Sequence, residues 1–341
     1  MLSNRKPTIY DVARTAGVST AAVSKVIRNA YGVSPAMKTK VTAAIDELGY
    51  RPSSTAQTLA GAGSRVGIEM PGISNPFFIQ IISGAMEGLD NSGFQLVVAP
   101  SMRPENEGSK ALESLVDGHV VGLIAISPHG TRPWLEDLAR RTPMVMIGRH
   151  DKTDVFDTVT GDDHRGAASV MEHLLGLGHR DIVHLTRGEE TTAPEAATPH
   201  SLRLEEYLAS MTKAGLSDRV RVVRSGASEV ESYHATVELL EQGSGPTAVF
   251  AGNDEMAFGV LRAARERGLS PSELSVVGYD DAAVAGFPQV DLTTVNQSGE
   301  GMGRRAVALL LERIAGRTES VHERLEPRLV VRGSSAAPRT W

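Results

Sequence analysis

Cysteine is absent from all 341 residues. That excludes a disulfide framework and thiolate chemistry, and it fits a reducing compartment such as the cytoplasm. Long apolar runs are missing as well. The N-terminus lacks the apolar core of a signal peptide, and no stretch approaches the roughly 18 apolar residues that cross a bilayer. A cytoplasmic protein with no membrane association is therefore expected. His164, His173, His179 and His184 do not make a metal-ligand spacing, and no metal is expected. Gly61-Ala62-Gly63 lies in a linker ahead of a strand, the wrong context for a dinucleotide fingerprint, so no cofactor is expected either. Asp162-Asp163 and Asp280-Asp281 are the nearest approach to an acid–base pair, but strand neighbours point opposite ways. No active site follows, and the chain is not read as an enzyme. The tail 316–341 has no leucine heptads, so a C-terminal coiled coil is not expected.

What is present is unevenly charged. The length suits about two domains. The formal net charge is −6, yet residues 1–61 carry eight Lys or Arg against Asp11, Asp46 and Glu47. That makes a local +5 and leaves −11 on the remainder. A basic module on an acidic body directs phosphate attraction to the module alone.

Within that module, TIYDVARTAGVSTAAVSKVIRN (8–29) reads as two short helices joined by a tight turn. Thr8 caps the first with Asp11 answering it, and Ile9, Val12 and Ala13 share an apolar face. Gly17 breaks the helix. Val18 plugs the corner, Ser19 caps the next helix, and Val23, Val26 and Ile27 supply its buried side. The exposed positions, Thr20, Ala21, Ala22, Lys25 and Arg28, are small or basic. In a helix-turn-helix the second helix lies in the major groove, which makes Thr20 and Ala21 the natural base readers with Ser24 and Lys25 beside them. Ser34 and Pro35 open a third helix that carries Val41, Ala44, Ile45 and Leu48, and Gly49 ends it. Tyr50-Arg51-Pro52 is an extended connector. Residues 53–60 can form one or two turns that need a partner or DNA to be stable, and Leu59 has nothing local to bury against.

The segments TIYDVARTAGVS, VSKVI, VSPAMKTKV, LGYRPSSTAQTLA, SNPFF, PTAVFAGNDEMAFGVLRA, LSVVGYDD and LTTVNQ, in that order, span nearly the whole chain. The chain thereby resembles the lactose/galactose repressor (LacI/GalR) family of bacterial transcription regulators. The resemblance implies a DNA-binding headpiece (1–52), a hinge helix and linker (53–63) and a two-lobed effector-binding core like that of periplasmic binding proteins. It also implies a homodimer on a near-palindromic operator in double-stranded DNA. The DNA-contacting positions it implies are Thr8, Tyr10, Ser19, Thr20, Ala21, Ser24, Lys25, Arg28, Ser34, Tyr50, Ala56, Leu59 and Ala60, with Leu59 wedging between base steps in the minor groove.

From Arg65 onward, apolar runs (RVGIEM, FQLVVA, VGLIAI, PMVMIG, DIVHL, RVRVV, TAVFA, LSVVGY) alternate with helical patterns over 77–92, 106–117, 165–177, 201–214 and 254–267. The class is α/β, with parallel sheets flanked by helices. The run is too long for one sheet. Two similar lobes fit, the second beginning near Asp162, and the resemblance implies that the chain crosses back near Gln297 and again near Leu325, which gives lobes of 64–161 with 298–324 and 162–297 with 325–341. Ligands bind outside the carboxyl ends of such strands, which selects Phe77, Phe78, Ser127, Arg149, Asn253, Asp254 and Asp280. The resemblance adds Arg203 as an effector contact, and Gln297 completes the candidate set. Three departures from the family pattern stand out. Glu205-Glu206-Tyr207 replaces a glycine before an aromatic, Gly148 stands where many sugar-responsive members carry Asp, and Ala227 and Gly299 occupy positions aromatic in the family's lactose-responsive member. The implied effector is therefore a small polar metabolite, a sugar being one candidate. The competing readings are a binding protein or transport receptor, favoured by the core but not the headpiece, and an enzyme using the interlobe crevice.

Overall fold

The computed structural model describes residues 7–27, 32–50, 65–101, 104–128, 130–151, 153–193, 197–242 and 245–339. Arg28, Ala56, Leu59, Ala60 and the hinge helix expected within 53–63 lie outside the described residues.

The headpiece is built from α1 (Ile9–Ala16), α2 (Thr20–Ile27) and α3 (Pro35–Leu48). The Thr8 amide and hydroxyl donate to Asp11 Oδ2 at 2.9 and 2.7 Å, which satisfies the start of α1. Gly17 ends it at φ 66°, a left-handed conformation that costs glycine least. Ser19 Oγ accepts the Ala22 amide at 3.1 Å and Ser34 Oγ accepts that of Met37 at 3.3 Å, so both expected caps form. Val12, Val23 and Val41 are fully buried where the helices meet.

The chain then lays down β1 (Arg65–Met70), α4 (Pro76–Gly88), β2 (Gln95–Pro100), α5 (Pro104–Asp117), β3 (Gly122–Ile126), α6 (Arg132–Arg141), β4 (Met144–Ile147) and β5 (Asp157–Gly161). It continues through α7 (Asp163–Gly176), β6 (Ile182–Thr186), α8 (Glu189–Thr192), α9 (Pro199–Lys213), β7 (Arg221–Arg224), α10 (Glu229–Glu241), β8 (Ala248–Ala251), α11 (Asp254–Glu266) and β9 (Ser275–Val277). The last elements are β10 (Thr294–Asn296), α12 (Gly299–Ile314), β11 (His322–Leu325) and β12 (Arg328–Val330). One sheet runs β11-β5-β4-β3-β1-β2 and the other β7-β6-β8-β9, all parallel, while β10 and β12 form a separate antiparallel pair. Helix α12 thus returns to the first lobe, β11 completes its sheet, and β12 goes back to the second.

Close packing fixes that return. A Cβ on Gly303 would lie 2.0 Å from the Ile81 carbonyl oxygen, and one on Gly84 2.0 Å from that of Glu300, so α12 and α4 touch backbone to backbone. At the far end of α12 the buried Asp157 carboxylate accepts from Arg313 at 2.8 Å, from Arg317 at 2.6 Å and from the Val321 amide at 2.8 Å. Burial alone would raise its pKa, but the two guanidiniums and the amide together hold it below the usual carboxylate range.

Glu69 is the opposite case. It is buried on β1, on the sheet face where Gly67 lies against Leu115 and Leu123, and the Ser101 hydroxyl donates to its Oε1 at 2.7 Å. Burial pushes its pKa up to about 7 despite that bond. A group whose folded pKa is raised gives stability that is whole below its unfolded value of 4.5 and is lost as pH climbs through about 7. Denaturant unfolding at pH 5 and pH 8 is therefore expected to show that Glu69→Gln removes a loss on the order of 2–3 kcal/mol from the wild-type difference. An unchanged pH difference in Glu69→Gln would assign the loss to other groups.

Candidate DNA-reading face and interlobe crevice

On α2, Ala21 and Lys25 are exposed while Thr20 and Ser24 are half-buried beside them, so one face presents small and basic groups together. Tyr10 on α1 is 72% exposed, and Ser34 is exposed at the start of α3. The Thr8 and Ser19 hydroxyls are engaged at the starts of α1 and α2. The structure does not bring Tyr50 to this face. Its ring is 8% exposed and packs into the headpiece core, where burial raises the phenol pKa.

Between the lobes runs a crevice of about 1310 Å³. Phe77, Phe78, Ser127, Arg149, Arg203, Asn253, Asp280 and Gln297 all line it. Asp254 does not. Its carboxylate turns inward, accepting from the Thr294 hydroxyl at 2.5 Å and the Ala282 amide at 2.8 Å, and so secures the loop that carries Asp280. Asn253 caps α11 through the Met256 amide at 2.9 Å while remaining in the lining.

Arg203 is the centre of the C-terminal wall. Its guanidinium bonds Asp163 Oδ1 at 2.8 Å through Nε and Nη2, donates to the Gly252 carbonyl at 2.7 Å, and stacks 3.5 Å above the Tyr279 ring centroid. That stacking explains Gly166, since a Cβ there would come within 2.0 Å of the Tyr279 hydroxyl. Burial works against the charges of both Arg203 and Asp163, yet their attraction wins, raising the first pKa and lowering the second. Asp163 Oδ2 lies 3.0 Å from His150 Nε2, and His150 comes from the loop after β4, so this carboxylate joins the two lobes. Gln80 on α4 makes a second bridge to the Asp281 carbonyl at 2.8 Å.

Asp280 sits at φ 124°, a conformation side chains rarely adopt, which marks local strain held by its surroundings. Gln297 donates to its Oδ1 at 2.5 Å, and Asn75, across the crevice, hydrogen-bonds it too. Burial raises its pKa to about 7, with Asp163 adding to the rise and Arg203, Gln297 and Asn75 opposing it. Asp281 turns elsewhere, to Arg332 at 2.7 Å and Asn296 at 2.7 Å. The two carboxylates diverge because both residues have positive φ, rather than by simple strand alternation.

Arg149 lines the crevice with its guanidinium already engaged by Asp151 at 2.6 Å and by the Pro128 and Gly130 carbonyls at 3.1 and 3.0 Å. It staples two loops together. Gly148 has φ 76°, and a Cβ there would lie 2.6 Å from Ser127 Oγ, so the missing aspartate at this position follows from the backbone. Gly299 leaves room for Gln80 and the Phe77 ring, whereas Ala227 does line the crevice. Sequence reasoning missed Trp134, His150, Asp163 as the partner of Arg203, His200 and Glu255. Of these only Asp163 carried a sequence signal, as one half of an acidic pair. Among the described residues no cluster suits a metal ion and no helix is long and apolar enough to cross a membrane.

Comparison with known proteins finds matches for both parts of the chain. Residues 8–53 match the family described as bacterial regulatory proteins, lacI family, and 171–335 match a periplasmic binding protein-like domain. The ribose operon repressor of Escherichia coli K12 is 34% identical over 334 residues, covering 96% of this chain and 99% of that one. Two solved structures are similar: a CelR–cellobiose complex at 31% identity and TM-score 0.69, covering 96% and 100% of the two chains, and the lac repressor dimer bound to operator and the anti-inducer ONPF at 28% and 0.77, covering 98% and 100%. With a relative this similar along almost its entire length, the chain belongs to the lacI family of bacterial regulatory proteins and is a DNA-binding transcriptional regulator.

Proposed function

We propose that the protein is a cytoplasmic homodimeric repressor whose operator affinity is set by a small polar metabolite bound between the lobes, without turnover of that metabolite. The observation that carries this reading is the convergence, in one crevice, of Arg203, Asp280, Asn253 and Gln297 from the C-terminal side and Phe77 and Phe78 from the other. Aromatic walls with a few convergent polar groups suit a small-molecule ligand. The ligand would bear on groups that already join the lobes, since Asp163 contacts His150 and Asp280 contacts Asn75. A ligand that prefers one lobe arrangement shifts the population toward it, and one indifferent to both shifts nothing. The relatives named above are a ribose operon repressor, a cellobiose complex and a repressor on its operator, which supports the same assignment. Dimerisation is supported by Ile73, Ile79, Met86 and Val98, exposed apolar side chains around α4 and the edge strand β2, with Phe287 on the other lobe. A two-fold contact covers such a patch on both copies at once.

Once thermal-shift screening has found an effector, Asp280→Asn and Phe78→Ala are each expected to lose its effect on operator binding while keeping ligand-free affinity. A wild-type ligand response in both variants would move the pocket elsewhere.

A further inference from the structure

We propose that the crevice takes a ligand of at least two linked sugar rings, with Trp134 as the stacking platform for the outer ring. This rests on reading the crevice as the effector site. Its volume of about 1310 Å³ exceeds the roughly 300–1,000 Å³ that encloses a drug-sized ligand, and a single sugar held by Arg203 and Asp280 leaves much of it unused.

The lining also has two aromatic stations, and the fold keeps them apart. Phe77 and Phe78 open α4, whose Ile81 and Ala85 pack with Ile68, Ile124 and Val145 on one face of the six-stranded sheet. Trp134 belongs to α6, whose Leu135 and Leu138 pack with Leu123, Ala125 and Met146 on the other face. The crevice therefore crosses the ends of the strands from one helix layer to the other. Two linked rings can reach both stations at once.

The setting of Trp134 suits a sugar. The indole is half-buried, packed on one side by Gly130, where a Cβ would come within 2.9 Å of Cε3. Thr131, Arg132 and Glu113 join it in the lining and offer donors and acceptors around an apolar surface, as ring hydroxyls and a C–H face require. Arg132 Nε donates to Glu136 Oε1 at 2.9 Å.

The chain has two tryptophans, Trp134 and Trp341, so Trp341→Phe makes Trp134 the sole emitter. Full-length protein with that change would be titrated with D-ribose, D-glucose, D-galactose, cellobiose, maltose, lactose and inosine, following both Trp134 emission and thermal shift. At least one disaccharide is expected to raise Tm and shift Trp134 emission saturably. Trp134→Ala, followed by thermal shift, then weakens that ligand about tenfold or more and Trp134→Phe less than about threefold, both with ligand-free operator binding retained as the check on folding. A monosaccharide that raises Tm with Trp134 emission unmoved, and no disaccharide binding, overturns the two-ring proposal while leaving the effector reading intact. Inosine alone moving Trp134 assigns the platform to a base and overturns the sugar. No thermal shift with any of them overturns the two-ring proposal.

Discussion

Removal of residues 1–61 is expected to abolish selective DNA binding, with a loss of at least about 10³-fold on a duplex selected by the full chain from a random library. The reason is electrostatic as well as geometric. The deleted segment carries the +5 and the α2 face of Ala21 and Lys25, whereas what remains carries −11 and repels phosphate. The remaining core keeps both sheets and the exposed apolar patch around α4 and β2, so it should stay folded and dimeric by analytical ultracentrifugation. Gel-shift titration decides the matter. A truncated core that still selects the same duplex would show that the headpiece is not the reader.

Arg203→Ala is expected to destabilise the fold by roughly 3–5 kcal/mol, because it leaves Asp163 buried without its guanidinium and strips the Gly252 carbonyl of a donor. In thermal denaturation that corresponds to a Tm lower by on the order of 10 °C. Breaking a buried pair costs more than replacing it whole, so adding Asp163→Asn to Arg203→Met should recover much of the loss that Arg203→Met shows alone. If Arg203→Ala melts within about 2 °C of the wild type, the pair is not a structural anchor.

Those two sites differ in how openly the sequence displays them. The headpiece is legible because its signals are local: Thr8 with Asp11, Gly17, Ser19, and Ser34 with Pro35 lie within a turn of what they control. Strands of continuous apolar residues, such as β3 and β4, are legible for the same reason. Strand β5 is not. Its sequence DTVTG is polar, and it is buried because Asp157 has Arg313 and Arg317 as partners some 156 and 160 residues away, which no periodicity announces. The crevice was legible as strand ends but not as a network. Arg203 reads as a ligand contact, while its commitment to Asp163, 40 positions distant, needs the two lobes in place. Trp134 was invisible for a related reason. Helix α6 begins one turn too far past β3 for the strand-end rule to reach its indole.

The triple crossing between lobes sets the order in which a ribosome can deliver this protein. The contacts of α1, α2 and α3 are local, so the headpiece can fold as soon as it clears the exit tunnel. The first sheet cannot. Its edge strand β11 and its covering helix α12 are among the last segments made, after the whole second sheet, so β5 waits for nearly half of synthesis with one edge unpaired and Asp157 without its arginines. Until then an exposed parallel edge is open to pairing with the wrong chain. The nascent regulator is thus a finished DNA-binding module trailing an unfinished sensor, and its late-arriving C-terminal segment is the step at which chaperone protection matters most.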